Sequence, residues 1–257
     1  MSFASMAVRQ ARYETISFWR NPASAFFTVV FPLLFLVIFN SVLGEGDISV
    51  KGGTVDTSTF YVPAILAFAV ISATYTNIAM SVTFARDRGL LKRVRGTPLP
   101  SLAYILGRII QAVGVTFLLV VVVLFCGIVF YGVNLDASKI ALLIVALILG
   151  AGCFCTLGLA ITGFVPNADA APAVVNASIL PLLFISNVFI PTEQAPGWIN
   201  SFASIFPVRP FADSLFAVFN PLQSGSGFDV KDLILMAAWG LVGIALALRY
   251  FSWEPRK

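Results

Sequence analysis

The chain has 257 residues, of which 59% are hydrophobic and 11% charged, and its formal net charge is +4. Because soluble domains typically carry about 25% charged residues, this composition excludes an ordinary soluble domain. The sequence contains no histidine, the commonest metal ligand, which argues against zinc proteases and haem-binding bundles. Cys126, Cys153 and Cys155 lie in apolar runs without metal-binding spacing, so we expect no metal site.

Six apolar runs recur along the chain, each of about the length that a helix needs to cross a hydrocarbon core, roughly 17–25 residues. A backbone in lipid must satisfy its own hydrogen bonds, so these runs are interpreted as helices. No hydrophilic stretch is long enough for a separate domain, and residues 1–257 are therefore predicted to form one all-α polytopic membrane domain. The six predicted spans are residues 25–43, 60–84, 104–130, 140–165, 172–190 and 232–251.

Residues 1–22 precede the first span and mix aromatic side chains with three arginines. This composition favours a helix lying in the membrane interface, which Asn21-Pro22 would end. The apolar residues form only a moderate stripe on a helical wheel. A disordered tail is therefore the alternative interpretation.

The basic residues are distributed unevenly between the two sides that six spans define. Twelve of the 16 fall on the side of the two termini and of the loop at residues 85–101. The positive-inside rule then predicts that both termini lie in the cytoplasm of a multi-pass plasma-membrane protein. The net positive charge is thus interpreted as an orientation signal, and no nucleic-acid partner is expected.

The loop at residues 85–101 alternates basic and apolar side chains before Gly96-Thr97-Pro98 ends the segment. This pattern predicts a short helix with one apolar side, and it favours a docking surface for a cytoplasmic partner. A purely topogenic charge cluster is the alternative. The candidate docking residues are Arg86, Arg88, Leu90, Leu91, Lys92, Arg93, Val94 and Arg95.

Residues 191–231 contain two apolar stretches separated by Pro207-Val208-Arg209-Pro210. Each stretch is about nine residues long, which is too short to cross a bilayer. We therefore predict a pair of re-entrant or interfacial helices in the outer leaflet, between the fifth and sixth spans.

Polar residues within the second and fifth spans are candidates for lining a transport pathway. Asn176 and Asn187 are three helical turns apart and are predicted to share one face of the fifth span. Polar residues in membranes also hold helices together by hydrogen bonds, and the sequence does not separate the two roles. The pathway candidates are Ser72, Thr76, Asn77, Asn176 and Asn187. Because no charged residue lies at mid-span, a proton- or sodium-coupled carrier is disfavoured.

Three groups of residues, taken in order, resemble the type-2 family of ABC exporter permeases, the daunorubicin-resistance-like group. The first is Arg20-Asn21-Pro22-Ala23 leading into the run at residues 31–39. The second is the basic loop Arg86–Pro100, with Arg88-Gly89-Leu90-Leu91-Lys92 and Gly96-Thr97-Pro98-Leu99-Pro100. The third is the segment at residues 189–198 followed by Phe206-Pro207-Val208-Arg209-Pro210, where Phe206 replaces the usual Asn.

The resemblance implies a transport subunit rather than an enzyme. In such a family the segment at residues 1–22 would be a connecting helix, and the basic loop a coupling helix that docks on an ABC ATPase. This chain has no G-x-x-x-x-G-K-[ST] sequence, so ATP and magnesium are expected on a separate polypeptide and no cofactor on this chain. The remaining implied partners are a second permease copy, most simply in a homodimer, and membrane lipid.

The function that this implies is ATP-driven export of an amphipathic drug, lipid or natural product across a bacterial plasma membrane. Export of a lipid-linked polysaccharide by the same architecture is the nearest alternative. An intramembrane transferase is a more distant interpretation, because the sequence lacks carboxylate pairs and histidines at mid-span. A structural or assembly protein is the last function class that the sequence leaves open.

Overall fold

The computed structural model describes residues 2–43, 46–50, 53–97, 99–192, 195–223, 227 and 229–254. In chain order its helices are α1 (Phe3–Trp19), α2 (Pro22–Ala25), α3 (Phe31–Leu43), α4 (Thr57–Ile71), α5 (Asn77–Asp87), α6 (Leu90–Arg95), α7 (Ser101–Tyr131), α8 (Ile140–Ile161), α9 (Ala171–Ile185), α10 (Gly197–Ala203), α11 (Val208–Phe219) and α12 (Val230–Tyr250). Two π-helical turns, Phe26–Val30 and Ser72–Thr76, join α2 to α3 and α4 to α5.

The six predicted spans all fold as apolar helices, which confirms the helical membrane fold. Four helical segments of the described chain are long and apolar enough to cross a membrane: Thr57–Asp87, Leu102–Tyr131, Ala137–Ile161 and Val230–Tyr250. The first and fifth spans are shorter apolar helices, Phe26–Val42 and Ala171–Ile185. The fifth span was predicted to run to residue 190, but its helix ends at Ile185. The prediction was therefore too long by more than one helical turn.

A β-hairpin interrupts the otherwise helical chain, which the all-α prediction did not include. Strands β1 (Asp47–Val50) and β2 (Gly53–Asp56) pair antiparallel, with Ile48 opposite Val55. Val50 and Val55 are buried and pack with aromatic residues at the start of α4. The hairpin is held because its β-branched residues share this apolar contact.

The central helix of the bundle is the continuous segment Thr57–Asp87. Every residue from 60 to 71 is buried, and α3, α7, α8 and α11 all contact this helix. A helix that is apolar all round is expected to be surrounded by other helices rather than by lipid. The second of the six predicted spans is therefore the centre of the bundle.

The bundle has two distinct ends, between which successive spans alternate. At the basic end, the ends of α5, α8 and α12 meet the start of α7. Arg86 contacts the end of α8, and Tyr104 lies near Trp253. At the hairpin end, the Nζ atom of Lys139 donates to the carbonyl oxygen of Asn220, 2.9 Å away. This contact joins the start of α8 to the end of α11.

The helix pair predicted between the fifth and sixth spans is present as α10 and α11, which are bent by 97° relative to each other. Phe211 of α11 lies against α8, where its ring is in contact with the ring of Phe154. A Cβ atom at Gly150 would overlap the Phe211 ring, so this approach favours glycine in α8. The pair thus packs into the bundle rather than lying outside it.

Candidate functional site

The coupling-helix candidate forms the predicted short helix, α6. Gly89, with φ of 70°, turns the chain between α5 and α6, a backbone conformation that favours glycine. The side chain of Leu91 is 0% exposed and packs with Ile78 and Val82, whereas that of Leu90 is 44% exposed. Val94 is half-buried against the same cluster. One of the two adjacent leucines therefore faces the bundle and the other faces away from it.

The exposed part of α6 and its flanks carries four cations around one apolar side chain. We call this set the docking surface: Arg88, Leu90, Lys92, Arg93 and Arg95. Burial of the neighbouring Leu91 fixes this surface on the bundle, because burying a leucine side chain contributes about 1.5–3 kcal/mol. Six of the eight docking candidates are thus at least partly accessible. The prediction that Leu91 faces a partner is wrong, because its side chain is buried in the bundle.

The prediction that Arg86 is a docking residue is also wrong, because its side chain is 1% exposed. Its Nη1 atom donates to the carbonyl oxygen of Thr162 at 2.8 Å, and its Nη2 atom to that of Val165 at 2.7 Å. These carbonyls lie just beyond α8, where the backbone acceptors of a helix lack intrahelical partners. Arg86 therefore binds the α8–α9 connection and does not belong to the docking surface.

The N-terminal helix α1 packs along the first part of α7, also at the basic end. The Nη2 atom of Arg108 lies 3.3 Å from Oε1 of Glu14, and Gln10 donates to the same oxygen at 2.8 Å. Gly107 permits the approach, because a Cβ atom there would lie 2.6 Å from the Gln10 side chain. Nearer its end, α1 buries Phe18 in a cluster with Val115 and Leu119 of α7. The predicted helix at residues 1–22 is present and is tied to the bundle by these contacts.

The pathway candidates of the second span lie around the π-helical turn Ser72–Thr76. Ser72, Thr76 and Asn77 are half-buried, and the Asn77 side chain donates back to the Ala73 carbonyl oxygen at 3.4 Å. A π-helical turn widens a helix locally and is frequent at functional sites. Here the turn places the Tyr75 hydroxyl 2.6 Å from that of Ser178 in α9.

The two asparagines of the predicted fifth span do not share a helical face, and this prediction is wrong. Asn176 lies exposed on α9, whereas Asn187 follows the end of α9 with φ of 58°. Asparagine is one of the few residues that tolerate this left-handed conformation. The structure therefore does not bring the five pathway candidates into one lining.

Asn187 instead organises a polar cluster between the end of α9 and the α10–α11 pair. Its Nδ2 atom donates to Asp213 at 3.1 Å, and its Oδ1 atom accepts from the backbone N–H of Thr192 at 2.8 Å. Arg209 extends the cluster, with its Nε atom 3.3 Å from Asp213 and its Nη1 atom donating to Asn200. These hydrogen bonds pair the side chains of Asn187, Asp213 and Arg209 where the backbone leaves α9.

A cavity with a volume of about 190 Å³ lies beside the bend between α10 and α11. Its walls are apolar apart from the Tyr75–Ser178 hydroxyl pair. At the bend, Phe206 stacks on Trp239 of α12 with ring centroids 5.8 Å apart. Apart from the polar residues of the second span, no sequence pattern indicated this cavity. Residues from five segments line it, among them Tyr75, Phe154, Ser178, Ile179, Phe206 and Trp239.

Similarity to a known protein family extends over most of this bundle. A model of the ABC-2 type transporter family matches residues 9–220. The chain belongs to this family. The match runs from within α1 to the residue after α11, so it includes α6, the central helix and the α10–α11 pair. It confirms the resemblance inferred from the sequence motifs.

Named relatives of this ABC-2 chain cover most of its length. A putative transport permease ycf38 of Cyanophora paradoxa is 26% identical over 88% of the chain and 82% of the relative. A daunorubicin resistance ABC transporter permease protein, DrrB1, of Streptomyces coeruleorubidus is 25% identical over 89% of the chain and 79% of the relative. A probable multidrug ABC transporter permease, YbhR, of Escherichia coli (strain K12) is 24% identical over 74% of the chain and 50% of the relative.

Proposed function

We propose that this chain is the membrane-spanning permease subunit of an ATP-driven exporter. The observation that carries the proposal is the docking surface, on a short helix that continues directly from the central helix of an ABC-2 family chain. An exposed leucine surrounded by cations is suited to a partner, because apolar anchors supply binding energy and charges orient the encounter. The partner proposed is an ABC ATPase on a separate polypeptide, which binds ATP and magnesium.

The proposed cargo is an amphipathic compound such as a drug, lipid or natural product. Relatives named for daunorubicin resistance and multidrug transport support this class. The apolar cavity with one hydroxyl pair is also compatible with a mainly apolar ligand. ATP binding and hydrolysis on the partner would shift the bundle between two states, which requires different contacts in each.

We further propose that two copies of the chain assemble with two ATPase subunits, with both termini in the cytoplasm of a plasma membrane. Asn176 supports the second copy, because its amide is exposed on α9 and an amide facing lipid lacks the hydrogen-bond partners that a facing helix supplies. The basic end, which carries the docking surface, is the side that the positive-inside rule assigns to the cytoplasm.

Transport by the reconstituted complex tests the proposal. Inside-out vesicles containing the chain and a candidate ATPase encoded beside its gene should accumulate daunorubicin or another labelled amphiphile when ATP is supplied. Vesicles with an ATPase unable to hydrolyse ATP provide the matched control. A complex that hydrolyses ATP but moves no member of a panel of drugs, lipids and lipid-linked sugars would contradict the export function.

The proposed pairing of two copies of the chain can be tested by cross-linking. Cross-linking of an Asn176→Cys variant in membranes should produce a covalent dimer of the chain. Exclusive recovery of the monomer, with the ATPase bound, would contradict a second copy on this face.

A further inference from the structure

We infer that Arg86 and Asp87 form a clamp that joins the docking surface to the α8–α9 connection, so that a displacement of α6 is delivered to α8 and α9 together. The clamp consists of these two side chains and the backbone groups that they bind at residues 162–168. The inference rests on the proposed function, because a docked ATPase is what would displace α6.

The guanidinium of Arg86 holds the end of α8. Besides the carbonyl oxygens of Thr162 and Val165, it reaches that of Pro166 at 3.3 Å. A cation is favoured at this position because the C-terminus of a helix carries a partial negative charge. The planar fork of arginine also presents several donors in fixed directions, which a lysine does not. The side chain is therefore a fixed link between α5 and the end of α8.

Asp87 holds the other half of the same connection. Its Oδ2 atom accepts a hydrogen bond from the backbone N–H of Ala168, three residues before α9 begins at Ala171. Its Oδ1 atom lies 3.6 Å from Nε of Arg86, so the two side chains also support each other. Two adjacent residues of α5 thus bind both the segment that leaves α8 and the segment that enters α9.

The position of the clamp in the chain gives it a role in transmission. Only Arg88 and Gly89 separate Asp87 from α6, and the buried side chain of Leu91 packs α6 against Ile78 and Val82 of α5. On the far side, α8 and α9 supply much of the wall of the 190 Å³ cavity, including Phe154, Ser178 and Ile179. A shift of the docking surface would therefore reach the cavity through this buried contact.

The distance between α6 and the connection gives a test that needs no cargo. Spin labels at Thr97, which follows α6 outside the docking surface, and at Asp169, which follows the clamp, would be placed in a chain whose three cysteines are replaced; both residues are exposed. We expect one narrow distance distribution in the chain alone, unchanged when the ATPase and a non-hydrolysable nucleotide are added. Arg86→Gln should broaden it, whereas Arg12→Gln, which removes an exposed guanidinium from α1, should not. The inference would be overturned if the chain with Arg86 and Asp87 intact gave a broad distance distribution, or one that changed when the nucleotide was added.

Export per ATP hydrolysed is the second readout, measured in the reconstituted complex. We expect Arg86→Gln to lower this ratio by about 5- to 150-fold, the range typical of coupling between sites, while ATPase binding and hydrolysis persist. Arg86→Lys, which keeps the charge but not the fork, should recover only part of the ratio. If Arg86→Gln does not fold, Asp87→Asn decides, because it retains an acceptor for Ala168 and removes the charge that faces Arg86.

The two hypotheses fail in different ways. A normal ratio in Arg86→Gln, or in Asp87→Asn where that variant decides, would overturn the clamp and leave the export function standing. Failure of the native chain to bind any ATPase would overturn the proposed function. The distance distribution between the two spin labels in the chain alone would still show whether the clamp joins α6 to the α8–α9 connection.

Discussion

The hydroxyl oxygens of Tyr75 and Ser178 lie 2.6 Å apart, and this contact joins the central helix to α9. Ser178 also donates to the carbonyl oxygen of Val175 at 2.7 Å. Because a serine hydroxyl has one proton, Tyr75 is then the donor to Ser178. The pair therefore has a defined direction, and it is the polar feature of an otherwise apolar cavity.

Replacing either partner should weaken the contact between these helices by a modest amount. We expect Tyr75→Phe and Ser178→Ala each to lower the free energy of unfolding by about 0.6 kcal/mol, the average measured for hydrogen bonds between membrane helices, and by no more than about 1.7 kcal/mol, the largest value measured. The double variant should cost less than the sum of the two single variants, because both remove the same interaction. Unfolding in mixed micelles measures all three; strictly additive costs would contradict the direct hydrogen bond.

The close packing of α8 on the backbone at Gly158 predicts a larger effect on stability. A Cβ atom there would lie 2.7 Å from the carbonyl oxygen of Tyr75, whereas a Cβ atom at Gly152 in the same helix meets nothing within 4 Å. Gly158→Ala should therefore destabilise the fold by about 1–3 kcal/mol through overpacking against a backbone that cannot move aside. Gly152→Ala is the matched control and should be neutral or stabilising by up to about 1 kcal/mol, because alanine favours the helix. Equal effects of the two variants would contradict this packing of α8 on the π-helical turn.

The sequence predicted the helices well because hydropathy over a run of residues is a local property. All six apolar runs became helices, and the short helix after Gly89 and the bent pair after Pro196 were found where they were expected. The family resemblance depended on the order of such local motifs. It was confirmed over residues 9–220.

The roles of single side chains depended on contacts between distant segments, and the sequence did not predict them. Arg86 binds carbonyl groups 76 to 80 residues further along the chain, so a basic loop alone could not predict its burial. Leu90 and Leu91 are equivalent in composition, and only packing on α5 and α7 decides which of them is buried. The early end of α9 depended on the polar partners of Asn187. These partners come from α11 and from the segment between α9 and α10.

The membrane orientation remains a prediction that labelling can check. Ser138 lies near the hairpin end and Thr97 follows α6 at the basic end, and both residues are exposed. In intact cells, a membrane-impermeant thiol reagent should modify Ser138→Cys but not Thr97→Cys, because the positive-inside rule puts the basic end in the cytoplasm. Thr97→Cys should react after permeabilisation, which shows that the residue is accessible. Reaction of Thr97→Cys in intact cells would reverse the orientation.

The two leucines of α6 offer a matched pair of substitutions that separates docking from folding. Leu91→Ser places a hydroxyl in an apolar cluster and leaves a void, so we expect it to lower the free energy of unfolding by about 2–5 kcal/mol. Leu90→Ser changes an exposed side chain and should alter stability by no more than about 0.5 kcal/mol. If the docking surface binds an ATPase, Leu90→Ser should still weaken co-purification of that subunit by tenfold or more, corresponding to about 1.4 kcal/mol for an apolar anchor. Unfolding of the purified chain and titration with the ATPase measure the two effects separately. Normal ATPase affinity in Leu90→Ser would remove this residue from the docking surface, and a stable Leu91→Ser variant would contradict the packing of α6 on the bundle.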